Sequence, residues 1–355
     1  MQFEKSAPGF KKAYVWVKKA FPGLVIGLAL LAAFLAWLQA AWGWQPAWAA
    51  ALLGWVENFA SVFLGIFIEA VPYLLLGTLA SGLVEVFIKS EDLAGLLLHN
   101  RLGGVVAGSF LGLFFPVCEC GTVPLARRFI RKGVAVPVSI AFLLAAPVIN
   151  PIVIASTLSA FGVSLVFWLR IALTLLIAVL IGWLFGLETD GDRLLAQPSP
   201  PLVSLQLDTD QALLVNKPPL GERLKRMASV AADDFFEMGQ FLVTGAALAS
   251  IMQTLVPQAW LLAIGNGPIL SVIALATLAA LLSICSTVDA FIALAFLGTF
   301  STGAVVAFLV FGPMVDIKAI LMYLRVFNRK TVVYLSTLPF LFSILAGVLI
   351  NFLAF

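Results

Sequence analysis

The stretch FFPVCECGTVPLARRFIRKG (114–133) sets two thiols and a carboxylate, Cys118, Glu119 and Cys120, side by side in an oily region and follows them with Arg127, Arg128, Arg131 and Lys132. Thiolates are soft donors that select soft metals and metalloids. The remaining one of the three cysteines is Cys285, in SICSTVDAF. Three sulfurs around one centre suit a trigonal thiophilic atom such as trivalent arsenic, so Cys118, Cys120 and Cys285 are the candidate metal or metalloid ligands. The alternative is plain packing, since a buried thiol behaves as a small apolar group. A disulfide is not expected, because the first two thiols are reached mainly from the reducing side.

Five carboxylates fall inside apolar segments: Glu69, Glu119, Glu237, Asp289 and Asp316. A charge at the centre of a membrane helix costs about 2.5–3.5 kcal/mol on insertion scales, which makes each a functional candidate. Glu69 and Glu237 are the proton-coupling candidates. Glu119, Asp289 and Asp316 join the substrate-binding set. The competing role is ion pairing: Lys318 neighbours Asp316, and Arg170 needs a partner. Glu57, Glu85, Asp233 and Asp234 fall near segment ends and are expected to be solvated. Asn150, Thr122, Ser286 and Thr287 can supply neutral polar atoms to the same site, although such side chains often bond only a nearby carbonyl. His99, the single histidine, is expected to be exposed. No catalytic residue and no cofactor are expected.

These residues need elements to hold them. The 355 residues are 62% hydrophobic and 11% charged, and the mean hydropathy is +1.09. Soluble domains carry about 25% charged residues, so the solvent is the lipid bilayer. Lipid leaves only helix bundles or closed barrels. The apolar runs are long rather than alternating, which selects an all-α polytopic membrane protein. The runs are 21–44, 55–88, 102–117, 120–131, 134–161, 163–186, 227–256, 268–284, 287–300, 304–324 and 331–355. The first ends in Trp42 and Trp44, an interfacial belt, and is read as a span rather than a cleaved signal.

Threading these runs in order puts 19 of the 21 Lys and Arg on one side, leaving only Arg170 and Lys318 inside spans. The opposite loops, 45–54, 161–163, 257–267 and 301–303, have none. The positive-inside rule then puts the N-terminus in the cytoplasm and the C-terminus outside. Residues 120–131 and 287–300 are too short to span. They read as arms of two re-entrant hairpins, 102–131 and 268–300, leaving about seven full spans.

The chain also repeats. The surroundings of Glu69 and Gly77 recur at Glu237 and Gly245, CGTVPLA (120–126) recurs as CSTVDAF (285–291), and AFLLAAPVIN (141–150) as AFLVFGPMVD (307–316). The copies start on opposite sides, which gives an inverted-topology repeat. Such repeats place a transport site at their interface near the midplane, marked by Gly/Pro-interrupted helices. The domains are therefore 1–54 (tail and first span), 55–186 (repeat 1), 187–226 (cytoplasmic linker) and 227–355 (repeat 2).

PVCECGTVPLARRFIRKG, AFLLAAPVINP and SICSTVDAFIALAF…FLVFGPMVDIK resemble the YraQ-type predicted permeases, the bacterial membrane family that includes the organoarsenical efflux permease. The resemblance covers about residues 55–330. It implies a plasma-membrane permease with a small-solute substrate. In the arsenical branch paired cysteines bind trivalent organoarsenicals, which by motif fall on Cys118 and Cys120. Glu119 between the thiols, with Asp289 and Asp316, looks more like the uncharacterised branch. Some relatives are encoded beside a second small membrane protein, so a second membrane subunit is a candidate partner beside the bilayer; no nucleic-acid partner is expected.

The expected function is a secondary permease for a thiophilic or cationic solute, and not an enzyme. Two rivals belong to other classes. A membrane thiol oxidoreductase would use Cys118 and Cys120 as a redox pair, but C-x-C is not the C-x-x-C spacing. A non-conducting subunit of a two-component complex would tolerate changes at the hairpins. No G-x-x-x-x-G-K-[ST] motif is present for ATP-driven transport. The threading predicts that a reporter fused after Phe355 is active outside, while one inserted at 187–226 is active in the cytoplasm. The opposite pattern would overturn the orientation.

Overall fold

A computed structural model of the chain describes Gly27, Phe34 and residues 47–88, 101–115, 117–187, 194–195, 219–255 and 267–353. Most of the expected first span, His99 and most of the 187–226 linker lie outside the described residues. Two compact units are present, Met1–Ser61 and Val62–Phe355. The account below concerns the second.

Lipid demands that each backbone N–H and C=O be paired within the protein, and the described residues answer with helices. Beyond two isolated bridges there is no strand among them. In chain order the helices are α1 (Ala47–Phe87), α2 (Arg101–Phe110, continued by a 3-10 turn, Leu111–Leu113), α3 (Glu119–Arg131), α4 (Val136–Ala145), α5 (Pro151–Phe161), α6 (Leu165–Phe185), α7 (Leu220–Leu255), α8 (Leu270–Leu282), α9 (Asp289–Phe296), α10 (Thr302–Met314), α11 (Ile317–Val326) and α12 (Arg329–Leu353). The protein is an all-α polytopic membrane protein. Five stretches are long and apolar enough to cross a bilayer: Leu52–Phe87, Leu165–Phe185, Leu220–Leu255, Thr302–Val326 and Arg329–Leu353.

Of the seven expected full spans, one lies mostly outside the described residues. Another, 134–161, is divided into α4 and α5, of 10 and 11 residues. The run 302–326 is interrupted in the same way at Val315, whose backbone is extended between α10 and α11. In each case a short polar residue restarts the helix. Asn150 Oδ1 accepts from Val153 N at 2.9 Å, and Asp316 Oδ1 accepts from Ala319 N at 2.6 Å. Both are N-caps in extended conformation, the arrangement that satisfies an orphan N–H of the first turn. α7 begins at Leu220, seven residues before the expected start of the second repeat at 227. Within the linker, Leu194 O accepts a hydrogen bond from Asn328 N at 3.0 Å.

The described helices form two successive runs of six, α1–α6 and α7–α12. Within each run the fourth helix is the most enclosed: α4 packs on α2, α3 and α6, and α10 on α8, α9 and α12. The runs also exchange contacts, α3 packing on α11 and α9 on α5. The outermost helices keep large apolar side chains exposed, such as Leu75 and Leu83 on α1 and Leu345 and Leu349 on α12. In lipid these faces carry no penalty.

Close crossings use glycine. A Cβ on Gly77 of α1 would overlap the backbone of Gly121 in α3, with its carbonyl oxygen at 2.7 Å. The Gly77 and Gly121 backbones therefore touch directly, and this seats α3 against α1. Small-residue contacts of this kind let membrane helices approach where no hydrophobic force drives them together. Gly77→Ala is expected to destabilise the fold by about 1–3 kcal/mol, read as a lower melting temperature in detergent. Gly65→Ala on the same helix, with nothing within 4 Å of its Cβ, is expected to leave it unchanged.

Candidate functional site

The turn before α3 and the turn before α9 bring the sulfurs together. Cys118 is the N-cap of α3, with extended backbone and no side-chain cap bond. Its thiol is free to face inward, and it lies within hydrogen-bonding reach of both Cys120 and Cys285. Ligand atoms of Cys118, Glu119 and Cys120 lie within 4.8 Å of one another. All three cysteines are buried and unbridged. Cys285 sits in the non-helical turn between α8 and α9, where Ser283 has φ 47°, a left-handed conformation that ends α8.

A buried lysine joins these turns. Lys318 Nζ donates to Ser283 O at 2.6 Å and to Glu119 Oε1 at 3.3 Å, and lies 3.3 Å from Asp316 Oδ2. The lysine and both carboxylates are almost fully enclosed, at 1% exposure. Glu119 Oε2 has no hydrogen-bond partner among the described residues, and Asp316 Oδ2 has only its ion-pair contact.

A second ion pair holds the other turn. Arg170 of α6 clasps Asp289 of α9 with Nη2, at 3.0 and 2.7 Å to its two oxygens, and reaches Ser286 O at 3.4 Å. Its Nη1 donates to Thr157 Oγ1 at 2.9 Å. Asp289 is therefore the partner Arg170 needs, and it stands on that pair rather than in the thiol cluster.

The neutral candidates divide. Asn150 donates to Val117 O at 3.2 Å, tying the α4–α5 break to the turn before α3. Asn150, Ser286, Thr287 and Cys118 line a cleft with Tyr73, Val117 and Ile152, with about 160 Å³ of empty space and no room for a water-sized sphere. Thr287 bonds Tyr73 side chain to side chain, and Ser286 Oγ is buried without a partner. Thr122 instead donates to Glu119 O, one turn back in its own helix, at 2.9 Å.

Glu69 and Glu237, matched in sequence, part company. Glu69 is half-buried with Oε1 enclosed and unpartnered. Glu237 is held between Arg127 and Arg325, at 2.7 Å from each, a binding arrangement for two cations. Asp234 corrects the expectation of a solvated residue: it is buried and accepts from Arg128 and Ser81, each at 2.8 Å. Arg128 also reaches Glu85 at 3.3 Å. The charged end of α3 is therefore a paired layer, with Arg128 about 13 Å along the helix from Glu119 at 1.5 Å per residue.

Tyr73 was not among the sequence candidates. Its only signal is its place after Pro72, inside a long helix. Lys318 and Arg170 were visible as cations within spans, but not as ligands of the two turns.

The predicted-permease family model ArsP_1 matches residues 55–352. The chain belongs to this family of predicted permeases. The match takes in α1 from Trp55 onward and everything through nearly the end of α12, so the thiol turn, the lysine and both helix breaks fall inside it. The UPF0718 protein YcgR of Bacillus subtilis (strain 168) is 42% identical over 279 residues, 78% of this chain and 91% of that protein. A Streptococcus mutans (strain UA159) protein named "Putative two-component membrane permease complex subunit" is 35% identical over 294 residues, 81% of this chain and 95% of that protein. No solved structure matches the chain. As a family member it is a predicted permease.

Removing one partner of a buried pair strands the other charge, at a cost of about 3–5 kcal/mol. Arg170→Met is expected to lower stability by that amount. Arg170→Met/Asp289→Leu is expected to recover most of it. Thermal denaturation in detergent reads both, and equal losses would show that the clasp carries little.

Proposed function

We propose that the chain is a secondary permease that carries a small thiophilic cation, a soft metal or metalloid species, across the plasma membrane by alternating access. Cys118, Cys120 and Cys285 bind it. Glu119 and Asp316 set the charge of the site, and Asn150, Ser286 and Thr287 shape its mouth. Asp289 and Thr122 support the two turns, and Glu69 is the remaining proton-coupling candidate, since Glu237 is engaged by two arginines.

The observation that carries this reading is the meeting of three thiols from two distant turns, with a carboxylate oxygen left free among them. Buried carboxylates without partners are costly and persist where a ligand or proton uses them. In this reading α2–α3 and α8–α9 are opposed re-entrant hairpins of an inverted repeat. Glu119 is then close to halfway into a ~30 Å core from the charged layer of α3. The two capped breaks at Asn150 and Asp316 are the discontinuous helices that mark such sites. The tight cleft corresponds to an occluded conformation. N-terminus inside and C-terminus outside follow from the cation distribution.

The name of the Streptococcus mutans relative favours one addition: the permease works with a second membrane subunit.

The test is accumulation of arsenite, trivalent methylarsenical, zinc, cadmium and copper in cells with the wild type or Cys118/Cys120/Cys285→Ser, at matched expression and with the neighbouring membrane protein co-expressed. One solute is expected to follow the wild type and to lose that dependence in the triple mutant, by at least about tenfold. A wild type and mutant that both move the same solute contradict a thiol site.

A further inference from the structure

The proposed function leaves Lys318 unexplained, and Lys318 is the most completely engaged charge in the thiol region. Its ammonium has three protons and three acceptors in reach, from three discontinuities of the fold. Glu119 Oε1 comes from the turn before α3, Ser283 O from the turn before α9 and Asp316 Oδ2 from the break before α11. These are the groups that a cation in this place would use. The ammonium sits where such a cation would sit.

Charge and space point the same way. One ammonium faces two buried carboxyl groups, each with an oxygen to spare. Glu119 Oε2 and Asp316 Oδ2, both on residues 1% exposed, make no hydrogen bond. The two thiols nearest Glu119 lie within 4.8 Å of its carboxylate. A soft cation drawn to Cys118 and Cys120 therefore meets Glu119 while Lys318 still holds it. A cation that takes Glu119 as a ligand removes an acceptor of the ammonium, and ammonium and metal repel at such range.

We infer that Lys318 is a tethered competitor of the solute: its ammonium occupies the cation position in the empty, closed site, moves off Glu119 when the solute binds, and expels the solute when it returns. The inference rests on the thiol-site reading above. It adds a release mechanism that needs no second ion. Lys318 is anchored at the start of α11, one residue past Ile317 and two past the cap Asp316. Its backbone lies against α7, where a Cβ on Gly245 would come within 2.9 Å of Lys318 Cα. The stem is thus fixed and only the flexible four-carbon chain has freedom to move.

A structural clamp and a competitor differ in sign. Removing a clamp loosens the site and weakens binding. Removing a competitor leaves the acceptors empty and strengthens it, while turnover falls because nothing displaces the solute. The experiment is a cadmium titration of the purified full-length protein in lipid nanodiscs, followed by the thiolate–metal absorption band, with uptake into proteoliposomes alongside. Thiols release protons on binding metal, so both are done at one buffered pH. Lys318→Met is expected to bind cadmium at least tenfold more tightly than wild type and to transport it at least tenfold more slowly. Lys318→Gln, which keeps donors for Ser283 O without the charge, is the variant to use if Lys318→Met does not fold, and it is expected to shift in the same directions.

Tighter binding with slower transport supports the inference. Binding that is unchanged or weaker in both variants, while the wild type still shows the cysteine-dependent band, overturns it and leaves the thiol site standing. If neither wild type nor variant gives a band, the vacated position takes no cation and the inference fails. Cysteine-independent transport of another solute in the same vesicles would then place the failure in the thiol-site reading itself.

Discussion

Breaks in helical backbone are tolerated at membrane depth only when the groups they free are bonded by protein, and Lys318 bonds across three breaks at once. One ammonium reaches the start of α3, the end of α8 and the start of α11. Without it, Glu119 and Asp316 would be two buried carboxylates close together with no counter-charge. With it, the turns carrying Cys118, Cys120 and Cys285 are held at one locus. The position of the sulfurs follows from where the charge is neutralised.

The matching break on the other side is handled by Arg170. It belongs to α6 in the first run of helices and holds Asp289 in the second, whereas Lys318 belongs to the second run and holds Glu119 in the first. Each turn is thus anchored by a cation supplied by the opposite run. The two anchors differ in kind. A guanidinium in bidentate contact is rigid and permanently charged, and an ammonium on a flexible stem is mobile. Asp289 has both oxygens satisfied by Arg170. Glu119 and Asp316 each keep an oxygen without a hydrogen bond. That asymmetry separates a turn whose carboxylate is fully bonded from one whose carboxylates are not.

Much of this could be read from the chain. Long apolar runs gave the helices, and the AFLLAAPVIN and AFLVFGPMVD blocks located both interruptions, because Asn and Asp cap a new helix where Pro and Gly weaken the old one. The alignment of CGTVPLA with CSTVDAF pointed to Cys285 as the companion of Cys118, and the two thiols do lie within reach of each other. What stayed hidden were pairings between side chains far apart in sequence. Lys318 and Glu119 are separated by 199 residues, and Arg128 and Asp234 by 106. Apolar periodicity carries no information on which acid meets which base. Asp234 looked solvated because it falls near the start of the expected 227–256 segment, but the bundle folds Arg128 over it. Glu69 and Glu237 looked equivalent because the repeat aligns them. They differ because only Glu237 faces arginines from α3 and α11.

The account stands on the two thiol turns meeting inside one membrane bundle. The most direct measurement is fluorescent cross-linking of Cys118 to Cys285 with dibromobimane, in a Cys120→Ser protein carrying a protease site within 197–218. After cleavage the account predicts a single fluorescent species of full-length mass, since the cross-link joins the fragments. Two fragments with no fluorescent cross-link, in protein that labels normally with a monofunctional bimane, would contradict it.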